Sequence, residues 1–279
     1  MKPSRALNWL DLSAYLFLGV VALVVLFPYF WMAVTSIKPI DEFFTYPLRW
    51  LPSRPTLAHY QLVLEDPRFL RALFNSTVVS ASVTLISLLL AIPAAYGLVR
   101  LAEGAGRPML VGILSAQFFP PMIFFIPFYI LLSSVKMLNT LSGLVFAYLS
   151  VTLPICTWMI ATSLRSVPRE LEDAARIDGC GDWSIIRYII IPVALPGIVT
   201  AAVFAFVLAW QEYIFALLYT STPAAQTAPV LLFYYLGQHQ IDYGRLMAAA
   251  VLLSLPVAIP FALIQRYYRE DRTQGGVKG

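Results

Sequence analysis

Apolar stretches of bilayer-crossing length alternate along this chain with short charged segments. A helix needs about 20 apolar residues to cross the hydrocarbon core, so the charge-free intervals mark the spans. The interval between Asp11 and Lys38 holds the first span, and that between Arg71 and Arg100 the second. The intervals either side of Lys136 hold the third and fourth, parted by the turn "SSVKMLNTLSG". The fifth lies between Arg187 and Glu212, and the sixth between Arg245 and Arg266. The predicted spans are 12–36, 73–99, 108–132, 139–162, 188–211 and 246–265, within one transmembrane domain covering 1–279. The interval from Glu212 to Asp242 is also uncharged, but "YTSTPAAQTAP" divides it into pieces too short to span. It reads as an outer loop with a short helix at "VLLFYYLG". A loop of this length is either functional or a disordered linker. The first span is too long for a signal-peptide core and lacks a clear small-x-small cleavage site, so it is expected to remain as an anchor.

Composition points the same way. Of the 279 residues, 59% are hydrophobic and 12% charged, about half the charge of a soluble domain, and the mean hydropathy is +0.76. The fold class is all-α and integral to the membrane. A net charge of +4 and a pI near 9.1 would suggest a nucleic-acid partner in a soluble protein. Here the excess belongs to cytoplasmic loops, which collect Lys and Arg. With the N-terminus inside, the inner segments (the N-terminus, 100–107, 163–187 and the C-terminus) take most of the 19 basic residues. A multi-pass protein of the inner or plasma membrane with both termini cytoplasmic is expected.

Catalytic chemistry is absent from the pattern. Cys156 and Cys180 lie in unlike surroundings, which argues against a disulfide. His59 and His239 have no ligand-spaced partners, so no metal is expected. No G-x-S-x-G elbow supports an intramembrane hydrolase, and no Walker A loop supports ATP binding by this chain. Asn75, Ser76, Gln117, Trp210 and Gln211 are candidates for a solute path, although helix packing explains such groups equally well. A secondary transporter or channel for a neutral solute is the alternative. Secondary transporters usually carry ionisable residues inside their spans, and these spans carry none.

The exception to the low charge is "RELEDAARIDGCGDWSIIRYIIIPVALPG" at 169–197. Pro168 suits the first helical turn, and Glu170, Glu172 and Asp173 follow where the helix dipole favours acids. Glu172 and Arg176 are spaced for an exposed i,i+4 pair. Leu171, Ala174, Ala175 and Ile177 form a stripe that another surface can approach. Asp178 and Gly179 stop the helix, with Gly179 in the left-handed conformation. Asp182 is placed to cap a second helix, and Pro192 and Pro196 to bend it. The segment 169–187 reads equally as an interfacial amphipathic helix or as a docking element.

One resemblance separates the two readings. Asp173-Ala174-Ala175, three residues, Gly179, nine residues, then Ile189-x-Ile191-Pro192 resembles the EAA signature of ABC-importer permeases, with Asp for Glu at 173 and Ile for Leu at 191. "SIKP" at 36–39, "FNS" at 74–76, "AAYGLVRL" at 94–101, "WQEY" at 210–213 and the ending "GGVKG" are similar to the maltose-type carbohydrate permeases, the MalG-like half of the pair in particular. The resemblance implies a type I ABC importer permease fold of six transmembrane helices, with a cytoplasmic coupling helix between the fourth and fifth. It implies a translocation path shared with a second, MalF-like permease, and a solute that is a sugar or related polyol such as a disaccharide, oligosaccharide or glycerol phosphate. Further implied partners are a dimer of ABC ATPase subunits, which binds ATP-Mg, and an extracytoplasmic solute-binding protein contacting the outer loop at 213–244. Glu170, Glu172, Asp173, Ala174, Ala175, Asp178 and Gly179 are the implied ATPase-coupling residues, with Glu172 and Asp173 supplying exposed charge. No cofactor is expected on this chain.

Overall fold

The computed structural model describes residues 9–102, 104–236 and 242–274, with side chains described up to residue 260 except at residue 10. Lys2, Arg5, His239, the ending "GGVKG" and residues 237–241 of the outer loop lie outside the described residues. The chain is helical throughout, with no strand among the described residues. In order the helices are α1 (Trp9–Ser36), α2 (Ala58–Leu64), α3 (Pro67–Tyr96), α4 (Gly106–Ser115), α5 (Met122–Ser134), α6 (Leu141–Leu164) and α7 (Arg169–Ile177). There follow α8 (Asp182–Ile185), α9 (Ile191–Val193), α10 (Leu195–Trp210), α11 (Ile214–Tyr219), α12 (Ala228–Tyr235) and α13 (Tyr243–Gln274). A π-helical turn at Gly97–Leu101 prolongs α3, and another at Ile186–Ile190 joins α8 to α9.

Four helical segments are long and apolar enough to cross a bilayer: Asp11–Ser36, Pro67–Leu101, Leu141–Leu164 and Tyr243–Pro260. Two more are bent pairs, Gly106–Phe118 with Met122–Ser134 at 94°, and Asp182–Val193 with Leu195–Trp210 at 83°. With each pair counted as one span, six segments stand where the charge-free intervals lie. Proline explains both breaks. Phe119 precedes Pro120 and is extended, with φ −73° and ψ 133°, because the proline ring clashes with a helical conformation of the preceding residue. Pro192 and Pro196 flank the second break at Ala194, where ψ opens to 5°. The second bend agrees with the sequence reading. The first interrupts a span read as continuous over 108–132.

The chain divides into two compact units, Met1–Asp66 with Leu232–Ser254, and Pro67–Leu231 with Leu255–Gly279. In the second unit α3, α6 and α10 pack on one another. At one end their core contains Ala91, Ala95, Ile160, Leu164, Ile190 and Ala201; at the other, Val79, Val83, Leu144, Tyr148, Ala209 and Phe215. Lipid tails are as apolar as leucine, so such helices associate through close packing of small residues rather than through the hydrophobic effect. Ala201, Ala205 and Ala209, one turn apart on α10, are all buried. At Gly197 a Cβ would overlap the Ser163 side chain, so α10 meets α6 there at a distance that only glycine permits. Ser87 and Thr152 hydrogen-bond between α3 and α6 at 2.9 Å.

In the first unit α1 exposes apolar side chains from Leu12 to Phe30, as a lipid-facing helix does, and buries its last three residues. The connection after it is built around buried polar groups. Lys38 Nζ donates to the Arg49 carbonyl at 2.7 Å and lies 5.1 Å from the Trp31 ring centroid. Glu42 is buried and accepts from the Ser53 backbone N–H at 3.0 Å and from the Ser53 hydroxyl. A His59 ring nitrogen bonds the Lys38 carbonyl at 2.9 Å, consistent with a packing role for this histidine. Asp66 accepts from Arg245 at 2.6 Å and from the Tyr235 hydroxyl at 3.1 Å, an ionic cluster without a sequence signal.

Candidate functional site: a tethered surface helix and an aromatic cavity

Helix α7 ends as its sequence predicts. Gly179 has φ +84°, the Gly179 N–H donates to the Arg176 carbonyl at 3.1 Å, and the Cys180 N–H donates to the Ala175 carbonyl at 2.9 Å. These are the two bonds of a Schellman cap, which satisfies the last carbonyls of a helix through one left-handed residue. Pro168 stands one residue earlier than expected, in extended conformation at the N-cap.

The charges on α7 depart from the sequence reading. Glu172 is buried rather than exposed, and it does not pair with Arg176. Its Oε1 accepts from Arg100 Nε at 2.7 Å, with the two side chains 6% and 8% exposed. The Arg100 guanidinium also donates to the carbonyls of Leu164 and Val167, at 3.2 and 2.8 Å. Carbonyls at a helix C-terminus lack intrahelical partners, so one arginine from the π-helical turn satisfies the end of α6 and holds α7. An exposed i,i+4 pair is worth only a few tenths of a kcal/mol; a buried carboxylate facing a multiply bonded guanidinium is the stronger arrangement. Arg176 turns instead to Asp182 at 2.8 Å and to the Tyr96 hydroxyl at 3.0 Å, and the Tyr96 hydroxyl lies 3.3 Å from Asp182 Oδ1. Asp182 therefore joins this triad and makes no capping bond; the N-cap of α8 is Gly181.

Residues 172 and 175 point inward, so α7 presents Glu170, Asp173, Ala174 and Ile177 outward, with Asp178 and Gly179 exposed at its end. Ala175, read as part of the approachable stripe, is instead buried in the cluster that contains Ile160, Leu164 and Ile185. Leu171 and Trp183 add exposed apolar surface. A short helix is thus locked on one side and open on the other.

The candidate path residues separate into two groups. Asn75 and Ser76 are buried and fasten the connection between α11 and α12. Asn75 Nδ2 donates to the carbonyls of Ala224 and Gln226 at 2.9 and 2.8 Å, and Ser76 Oγ accepts from the Ala228 N–H at 2.8 Å. Asn139 holds the same connection, its Oδ1 accepting from the N–H groups of Ser221 and Thr222 at 3.0 and 3.1 Å. Residues 220–227 are therefore a fastened loop, and Asn75 and Ser76 serve it. Gln117 and Gln211 do line cavities. Gln211 borders one of about 480 Å³ with Phe125, Tyr148, Glu212, Tyr213 and Phe215. Gln117 borders a smaller one of about 260 Å³ with Phe119, Phe128 and Ser150. Both cavities share Pro121, Val151 and Phe215, so the proline break before α5 opens this space. Trp210 is buried and stacks on Phe206. Glu212, which bounds the fifth charge-free interval, caps α11 by accepting from the N–H groups of Phe215 and Ala216 at 2.9 and 3.2 Å.

An all-helical core with a tethered surface helix between the fourth and fifth segments defines a class, the membrane subunits of ABC importers. The fold matches a crystal structure of a bacterial ABC transporter involved in the import of the acidic polysaccharide alginate, with TM-score 0.80, 21% identity, and coverage of 95% of this chain and 98% of that one. A methionine ABC transporter in an inward-facing conformation matches with TM-score 0.60 and 17% identity over 76% of this chain and 97% of that one. Within the class, the chain belongs to the family of binding-protein-dependent transport system inner membrane components, whose model matches residues 70–273. Relatives include the sulfoquinovosyl glycerol transport system permease protein SmoH of Agrobacterium fabrum, 35% identical over 91% of this chain and 89% of that protein. The trehalose/maltose transport system permease protein MalG of Thermococcus litoralis is 32% identical over 93% and 94%. The trehalose transport system permease protein SugB of Mycobacterium tuberculosis is 31% identical over the full length of both. The chain is a multi-pass membrane component of a transport system.

Proposed function

We propose that this chain is a translocation subunit of an ATP-driven importer for a carbohydrate or related polyol, and that α7 is where ATP hydrolysis in a partner subunit reaches the membrane. The observation that carries the coupling role is the asymmetry of α7: its inner side is bound through Glu172 to Arg100, while Asp173, Ala174 and Ile177 lie uncovered. A force on the outer side passes through Arg100 to α3 and α6, and through Arg176 to Asp182 at the start of α8. Both routes run through π-helical turns, Gly97–Leu101 and Ile186–Ile190, irregularities that recur at functional sites. The ATPase dimer, with its ATP-Mg, would dock on this face, which sets both chain termini in the cytoplasm. A second permease would complete the path, and an extracytoplasmic binding protein would engage the loop at 220–227. The sugar and glycoside transport systems named for the relatives support the carbohydrate class. Half-buried Tyr213 borders the larger cavity and has an apolar face of the kind on which sugar rings pack.

The test is uptake and ATPase stimulation by the reconstituted complex carrying Ala174→Trp, at matched expression. A bulky side chain on the open face is expected to abolish both without impairing insertion. Full uptake would mean that α7 is an interfacial spacer. Orientation is tested separately, by single cysteines at positions 4 and 276: labelling of either in intact cells by an impermeant reagent rejects cytoplasmic termini.

A further inference from the structure

Beside α7 lies a cavity of about 340 Å³ bordered by Arg100, Arg107, Arg165 and Arg169, together with Gly104 and Gly106. These arginines come from the ends of three membrane-crossing segments and the start of α7. Arg100 lies in the π-helical turn after α3, Arg107 is the second residue of α4, Arg165 follows α6, and Arg169 begins α7. The described lining contains no carboxylate. Arg100 is already neutralised by Glu172, whereas Arg107, Arg165 and Arg169 form no ion pair among the described residues. Four arginines thus border one concave space, three of them exposed; Glu103, between Ala102 and Gly104, lies outside the described residues. An anion bound among like charges offsets their mutual repulsion. Gly104, at φ +87°, and Gly106 at the start of α4 complete the lining.

We propose that this cavity holds the phosphate of an anionic phospholipid headgroup. The depth of the site selects that source. Residues that terminate membrane spans lie at the headgroup level, where lipid phosphates are concentrated, and basic pockets between transmembrane helices bind such headgroups. Guanidinium is the group suited to it, because its fork of N–H donors matches a phosphate in bidentate geometry. The bound lipid links the α3–α4 connection to the α6–α7 connection, so it braces the platform on which α7 sits. The inference uses the membrane location of the chain and does not depend on the solute or on the coupling role of α7.

The experiment is lipid retention by the purified intact transporter in nanodiscs of mixed phosphatidylglycerol and phosphatidylcholine, read by native mass spectrometry. Wild type is expected to retain phosphatidylglycerol in preference to phosphatidylcholine. A basic residue at an anionic lipid surface contributes roughly a fivefold factor, so Arg107→Gln with Arg165→Gln is expected to weaken retention by about twenty-five-fold. Arg54→Gln, an exposed arginine in the other compact unit, controls for a general loss of charge and should retain lipid as wild type does. Equal retention of both lipids, or unchanged retention in the double variant, overturns the proposal. Displacement of the lipid by millimolar inorganic phosphate as effectively as by short-chain phosphatidylglycerol assigns the site to soluble phosphate and overturns the lipid source. Loss of the ATPase subunit from the double variant with lipid retention intact makes the arginines part of that protein interface, which also overturns it.

Discussion

Arg100 and Glu172 stand 72 positions apart and meet at 2.7 Å, almost wholly out of solvent. Removing one partner of a buried ion pair leaves an uncompensated charge, which costs about 3–5 kcal/mol. Glu172→Ala is therefore expected to lower the melting temperature of the solubilised complex and to free α7 from its seat, seen as faster proteolysis at Arg169 and Arg176. Glu172→Gln, which keeps an acceptor, should lose less. A wild-type melting temperature for Glu172→Ala would show that the pair does not hold the helix.

Gly179 tests geometry rather than contact. Nothing lies within 4 Å of a Cβ built there, yet φ is +84°, so the penalty for another residue is conformational. For valine it is about 1–2 kcal/mol or more, enough to displace the turn without unfolding the spans. Gly179→Val should insert normally and lose both uptake and ATPase stimulation. Asp173→Glu, on the open face, should transport as wild type does. Comparable uptake by Gly179→Val would mean that the turn angle is irrelevant to transport.

Asn75→Ala removes two donors from the loop carbonyls of Ala224 and Gln226. Leaving such buried groups unsatisfied costs about 1–3 kcal/mol. The expected result is faster proteolytic nicking within 220–227, weaker stimulation by the binding protein, and unchanged ATPase retention. The last outcome follows from distance: 21 residues of helix place Asn75 about 30 Å from Tyr96 along α3. Loss of ATPase binding would show that the two ends are not independent.

Glu42 supplies a pH dependence. Hydrogen bonds from the Ser53 hydroxyl and backbone N–H hold its carboxyl below the usual carboxylate value, against the opposing effect of burial. A folded-state pKa lowered in this way contributes stability above the unfolded value, and that contribution is lost as pH falls through the lowered value. The connection around Glu42 should accordingly loosen only in acid, measured as faster amide hydrogen exchange across residues 40–53 after correction for the intrinsic pH dependence. Ser53→Ala should move the onset upward in pH. An unshifted onset would detach Glu42 from the effect.

Some of this architecture needed only local chemistry. Charge-free intervals located six crossing segments because an ion in hydrocarbon is costly wherever it sits in the chain. Asp178 and Gly179 announced the end of α7, since a helix stop depends on the conformational freedom of one residue. Pro192 and Pro196 announced the second break for a similar reason, and Pro120-Pro121, equally local, carried the same signal for a break that the sequence reading passed over. What required tertiary structure was the partner of each polar group. Spacing alone paired Glu172 with Arg176, because one turn of helix is the only proximity that sequence guarantees. Folding brought Arg100 to Glu172 and Asp182 to Arg176, and it made Asn75 an anchor of the 220–227 loop. A polar residue in a membrane span states only that its hydrogen bonds must be met; the packed helices decide by whom. The arginine cavity follows the same rule, for its four residues are scattered from 100 to 169 and converge only where three spans end together.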